Sequence, residues 1–197
     1  NVKGFSYAGG CTPAPFGIEG ADVAPEGVPY AAVDTFQDIE LSAQRLAELV
    51  LDLSNGRPGY TIDIAAHSLG GVVTRRAIEI VAEQGQIKDL GAVVTIGSPH
   101  RGAEIATMAS AAAGGFDGAN HLSEEIGMLR DTDSVIQLSE VGAASLADPS
   151  PPPEGLAVVA IAGSTDAVVP APAAVWSGAT NVLVPTSPSL SAHSDLP

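Results

Sequence analysis

The chain has 197 residues, enough for one domain with a buried core and no need of disulfide or metal staples. Hydrophobic residues make up 45% and charged residues 16%, which excludes a disordered tail, and no run of about 18 apolar residues offers a membrane span. Eight Lys and Arg against 23 Asp and Glu leave a formal charge of −15, which repels phosphate backbones and anionic lipid surfaces and argues against a nucleic-acid partner.

Val2–Tyr7 is a short apolar piece ending at Gly9-Gly10, and reads as a strand cut off at its start. Residues 9–34, rich in Gly, Pro and Ala, read as a long loop. This loop holds Cys11, the single cysteine, which can close no internal disulfide and leaves the compartment open, secretion included. From Thr35 a helical period begins, with Phe36, Ile39, Leu41, Leu46, Leu49, Val50 and Leu53 on the apolar side. Asp38 and Glu40 lie early, where the helix dipole favours them. Asn55-Gly56-Arg57-Pro58-Gly59 ends that helix. A buried strand is predicted over Tyr60–Ala66, then the turn His67-Ser68-Leu69-Gly70-Gly71, then a helix from about Val72 to Glu83 whose first turn begins near Leu69. Further strands are predicted at Gly91–Ile96, Leu156–Ala162 and Asn181–Val184, each followed by a polar loop. Strands alternating with helices in this way indicate a parallel sheet covered on both faces. Residues 103–147, Ala-rich and irregularly apolar, fall outside the alternation and read as a cap. Asp148–Pro153 is its stiff return. The expected organisation is one domain over 1–197, with a cap insertion at about 103–150.

The sharpest local signal is Ala66-His67-Ser68-Leu69-Gly70-Gly71. A serine on a sharp strand-to-helix turn has its Oγ pushed clear of the sheet, and small residues two before and two after it, here Ala66 and Gly70, permit the turn. The helix start also aims free backbone N–H groups at a carbonyl oxygen under attack, with Leu69 N–H as one oxyanion donor. The competing reading is an ordinary turn in a nucleotide-binding sheet, but neither Gly-x-Gly-x-x-Gly nor Gly-x-x-x-x-Gly-Lys is present.

In these residues the sequence resembles the α/β-hydrolase superfamily, and within it the lipase and esterase branch. Its elbow reads Gly-x-Ser-x-Gly, with an Ala-His-Ser-x-Gly-Gly variant, so Ala66 stands where glycine is more usual. A second block, Val93–Gly102 with Gly97-Ser98-Pro99-His100-Arg101-Gly102, is similar to the Ser/Thr-Pro-His-x-Gly loop after the elbow helix of lipases and lipid deacylases. The resemblance implies an α/β three-layer sandwich, a mostly parallel sheet and an inserted helical cap. It also implies a Ser-acid-His order along the chain.

Four histidines compete for the base. His67 adjoins the serine and is expected to point away from it in a structural role. His100 is expected to fix its loop by a hydrogen bond, and His121 to be a solvated residue of the cap. His193, late in the chain after the last strand, is the candidate base. Asp166 directly follows the strand Leu156–Ala162, in Gly163-Ser164-Thr165-Asp166-Ala167-Val168-Val169-Pro170. That segment resembles the family's Gly-x-x-Asp-x-x-Val-Pro acid block, whereas Asp195 lies beside the histidine on the same loop. The family's second oxyanion donor usually comes from a loop upstream of the piece that Val2–Tyr7 resembles. The expectation is a fragment lacking the first strands and the last helix, with the Tyr7–Gly10 loop as a substitute source.

The expected function is a serine hydrolase that cleaves carboxylic esters through an acyl-enzyme. Ser68 is the nucleophile, His193 the base, Asp166 the orienting acid and Leu69 N–H an oxyanion donor. The substrate is a small-molecule or lipid ester, the protein a monomer, and no metal or organic cofactor is required, because all reacting groups are side chains. An acyltransferase with the same triad and a non-catalytic ligand-binding module are the alternatives. Product analysis with an alcohol acceptor separates the first, and active-site labelling the second.

Overall fold

The computed structural model of the protein describes residues 2–12, 32–35, 37–56, 58–102, 149–187 and 190–193. In chain order these form β1 (Gly4–Phe5), β2 (Cys11–Thr12), α1 (Ala32–Thr35), α2 (Ile39–Gly56), β3 (Ile62–His67), α3 (Leu69–Glu83), β4 (Leu90–Ile96), β5 (Ala157–Gly163) and β6 (Thr180–Val184). Short 3-10 turns occupy Ile87–Asp89 and Leu190–His193. The expected cap at about 103–150 lies, over 103–148, outside the described residues, as do His121, Asp195 and Phe36.

β3, β4, β5 and β6 pair in that order, all parallel, so their C-terminal ends share one edge of the sheet. α2 and α3 pack on each other, and α3 lies on β3 and β4. Their apolar stripes meet in one core: Ala43, Leu46, Ala47 and Val50 from α2, Val72, Val73, Ala77, Ile78 and Val81 from α3, and Val93 and Val158 from the sheet. The expected α/β architecture, a mostly parallel sheet with flanking helices, is what these elements build.

Two local readings differ. Val2–Tyr7 supplies not a strand of the parallel sheet but one arm of a separate antiparallel hairpin, Gly4–Phe5 against Cys11–Thr12. The reason is the turn between them. Ser6 N–H donates to the Gly10 carbonyl (3.0 Å) and Gly9 N–H to that of Ser6 (2.8 Å), with φ of 107° at Gly9 and 69° at Gly10. The helix expected from Thr35 starts instead at Ile39, because the Asp38 carboxylate accepts the Leu41 N–H at 3.1 Å and so caps it there. The last strand, expected at Asn181–Val184, is present as β6 over Thr180–Val184, with Val182 and Leu183 exposed.

One irregularity sets the register that matters for the site. Between Ile62 and Ile64 the β3–β4 ladder shifts, after which His67 stands opposite Ile96. Asp63 fills the break, its Oδ1 accepting the Ala92 N–H at 2.8 Å and occupying the space that a Cβ on Gly91 would need. The ladder then continues one step past the strand, with Ser68 N–H on the Ile96 carbonyl at 2.9 Å.

Candidate active site

Ser68 joins β3 to α3 with φ 53° and ψ −129°, the one non-glycine residue of positive φ among the described residues. A side chain is rarely held there, at a cost of order 1–3 kcal/mol, and such strain collects where geometry serves function. The elbow is pinned by the Ser68–Ile96 bond behind it and by Gly71 N–H on the Ser68 carbonyl (3.0 Å) ahead of it. Leu69 is the first residue of α3, so its N–H has no intrahelical acceptor and faces the edge where the strands end.

The steric demand for glycine falls one residue later than the motif suggests. A Cβ on Gly70 would meet only Tyr7 Oη at 3.5 Å and Ala66 Cβ at 3.8 Å, both ordinary contacts. A Cβ on Gly71 would overlap Oγ and Cβ of Ser98 and come within 3.1 Å of Thr95 Cβ, and both of those residues are buried. Gly71 thus lets α3 descend onto the end of β4. Gly71→Ala is expected to cost about 1–3 kcal/mol of overpacking, whereas Gly70→Ala should stay within about 1 kcal/mol of the parent. Urea unfolding of the two variants checks this, and equal stabilities would refute it.

Asp166 stands just past β5 and is 5% exposed. Its Oδ1 accepts the backbone N–H groups of Val168 (2.8 Å) and Val169 (2.9 Å), and its Oδ2 accepts from His193 Nδ1 at 2.8 Å. An ionised carboxylate can only accept, so Nδ1 of His193 carries the proton and a neutral ring leaves Nε2 with a lone pair. The loops carrying the two residues are laced together. Ser164 N–H donates to the Val184 carbonyl (2.9 Å), Thr165 N–H to Thr186 Oγ1 (3.0 Å), Thr165 Oγ1 to the Thr186 carbonyl (2.8 Å), and Thr186 N–H to Ser164 Oγ (3.2 Å). The spacing of Thr165 and Thr186 carried no signal of this lacing in the sequence.

Asp166 and His193 are therefore brought into direct contact, and Ser68 lies on the same sheet edge. Among the described residues no hydrogen bond joins the Ser68 hydroxyl to the His193 ring. A link between the two segments is His67, expected to point away from Ser68 in a structural role. Its Nε2 lies 2.9 Å from the His193 carbonyl oxygen, and the two imidazole centroids are 4.6 Å apart at 43°.

The Ser6–Gly10 turn lies against the elbow, with Tyr7 Oη beside Gly70. The Tyr7 carbonyl accepts from Gln37 Nε2 and Arg45 Nη1, each at 2.6 Å, and Arg45 also donates to Gln37 Oε1 at 2.9 Å. α2 thereby holds this turn in place.

His100 fixes its loop. Its Nε2 is 2.9 Å from Thr95 Oγ1, its ring lies 4.8 Å from that of Trp176, and its carbonyl accepts from Arg75 Nη1 at 2.8 Å. Trp176 in turn donates Nε1–H to the Ser150 carbonyl at 2.9 Å. Full burial, followed by the nearby Arg75 charge, pushes the His100 pKa down to about 3, so the ring is neutral and moves no protons near pH 7. In the unfolded chain the same group titrates near 6.5. The unfolded state therefore binds the extra proton as pH falls below 6.5, and the stability that the neutral ring contributes declines until about pH 3. Between pH 7 and 4.5 this amounts to about 2–3 kcal/mol. A His100→Gln variant should show a correspondingly shallower loss in urea unfolding over that range. Parallel curves for parent and variant would contradict it.

Among the described residues no group of three or more His, Cys, Asp or Glu side chains could hold a metal ion, and no helix is long and apolar enough to cross a membrane.

Residues 25–134, more than half of the chain, match a family described as "Putative serine esterase (DUF676)". No curated protein matches the chain. Among solved structures, the lipase BlEst2 of Bacillus licheniformis superposes with a TM-score of 0.55 at 17% identity, over 76% of this chain and 66% of the lipase. A thermophilic esterase from Thermogutta terrifontis gives 0.40 at 17% identity, over 86% of this chain and 68% of the esterase. A 2-hydroxy-6-oxo-6-phenylhexa-2,4-dienoate hydrolase from Rhodococcus sp. strain RHA1 gives 0.46 at 19%, over 83% and 67%. The chain thus spans about two thirds of the length of these proteins, and the lipase superposition carries the shared fold. With the parallel sheet, the strained serine between strand and helix, and the match over more than half its length, the chain has the fold of the α/β-hydrolases and belongs to the family described as "Putative serine esterase (DUF676)".

Proposed function

We infer that the protein cleaves carboxylic esters through a covalent acyl-enzyme, with Ser68 as nucleophile, His193 as base, Asp166 as its orienting acid and Leu69 N–H as an oxyanion donor. The observation that carries this reading is the Asp166–His193 bond of 2.8 Å, made by an acid already held by two backbone N–H groups. It leaves Nε2 basic at the edge where Ser68 stands.

Ser68 Oγ attacks the ester carbonyl while His193 Nε2 takes its proton. The carbonyl oxygen becomes an oxyanion facing Leu69 N–H, and the imidazolium is compensated by Asp166. The C–O bond to the alcohol then breaks, and His193 returns the proton to the leaving oxygen. Water, deprotonated by the same Nε2, attacks the acyl carbon, and the acid departs from a regenerated serine. A second oxyanion donor would come from the Tyr7–Gly10 turn, which lies against the elbow. The apolar residues of 103–147 favour a small-molecule or lipid ester with an apolar acyl group.

Incubation with a fluorophosphonate probe tests the assignment. The folded protein should take up one probe, on Ser68, and lose its hydrolysis of a short-chain nitrophenyl ester in parallel. Hydrolysis that survives complete labelling, or a label on another residue, would overturn it, and an unlabelled, inactive protein would favour a ligand-binding module instead.

A further inference from the structure

The bond between His67 and the His193 carbonyl has no part in the chemistry just described, and an elbow does not need it. Position 67 is exposed, so the turn itself sets no steric demand for an imidazole there. A carbonyl oxygen can only accept, so His67 Nε2 carries a proton and donates it at 2.9 Å.

Leu190–His193 is a single 3-10 turn. His193 attaches it to the rest of the fold through its Nδ1–H on Asp166 and its carbonyl, which accepts from His67. The first orients the ring but lets it move with its backbone. The second holds the backbone from which the ring hangs. The donor is the residue before Ser68, at the end of a strand locked in register with Ile96.

We propose that His67 is the positioning residue of the base: its Nε2–H, held on the His193 carbonyl, sets the separation between the His193 imidazole and the Ser68 hydroxyl. This rests on the reading of Ser68 and His193 as nucleophile and base. The backbone segments of the two reacting groups are thereby tied by one side chain, and ring contact at 4.6 Å limits tilting. A misplacement of about 1 Å between reacting groups can cost 10²-fold in rate.

Two variants measure the bond with the same chemical group at two lengths. Glutamine places an amide N–H at the distance of Nε2, whereas asparagine falls one methylene short, and both remove the ring contact and the possibility of charge. His67→Gln is expected to keep kcat within about threefold of the parent. His67→Asn should lose about 10²-fold in kcat and in the rate of fluorophosphonate labelling, with KM and melting temperature matching those of the Gln variant. A role in folding alone would not produce this separation of kcat from KM, or the rescue by glutamine. An active parent with Gln and Asn variants that are equally fast, or equally slow, would overturn the inference alone. A parent that neither hydrolyses ester nor takes the label would overturn it together with the reading beneath it.

Discussion

Asp166→Asn is expected to lower kcat by about 10⁴ with little change in KM or in melting temperature. The fold should tolerate the change, because the amide oxygen can still accept the Val168 and Val169 N–H groups that now bind Oδ1. The face turned to His193 changes in kind. Where Oδ2 accepts from Nδ1 at 2.8 Å, an amide NH2 would donate. Two donors cannot share one bond, so the imidazole must move its proton to Nε2 and present Nδ1 as the acceptor. The lone pair that should take the serine proton is then consumed, and the developing imidazolium loses its counter-charge. Steady-state kinetics on a nitrophenyl ester, with thermal unfolding as the control, check this. A variant within tenfold of the parent would show that Asp166 does not govern the base.

Ser68→Ala is expected to remove hydrolysis to near background, a loss on the order of 10⁶-fold, because removal of the nucleophile also leaves base and acid without a function. The backbone geometry adds a second expectation. At φ 53° and ψ −129°, alanine keeps the strain of a Cβ, whereas glycine relieves it. Ser68→Gly should therefore be equally inactive yet more stable than Ser68→Ala, by about 1 kcal/mol. Activity that survives in both variants would end the proposed mechanism. Equal stability of the two would mean that the elbow stores no strain.

Much of the architecture was legible before any coordinates, because hydrophobic periodicity is a local property. The apolar runs ending at Ala66, Ile96, Ala162 and Val184 end within a residue of where β3, β4, β5 and β6 end. The elbow was legible for the same reason: a serine between an apolar run and a helix start leaves a signature over a few neighbouring positions. Errors arose where a local pattern was settled by something outside it. The Val2–Tyr7 run has strand composition, yet it pairs with Cys11–Thr12, because two glycines of positive φ turn the chain back. Gly70 and Gly71 are indistinguishable as letters, and only the approach of Ser98 from the end of β4 makes the second one indispensable. His67 was legible as the neighbour of the elbow serine, but its partner lies 126 positions away.

The sequence by itself determined which segments become strands and helices, and which serine sits at a strand-to-helix turn. Those outcomes follow from side-chain period, turn residues and caps acting over a few positions. Only the tertiary structure decided that Asp166 meets His193 across 27 positions, that the Thr165 and Thr186 loops are laced, and that His67 holds the backbone carbonyl of His193. Contacts of that kind depend on which strands become neighbours in the sheet and in what register. That order is set by the packing of the whole chain and leaves no trace in the spacing of the residues it brings together.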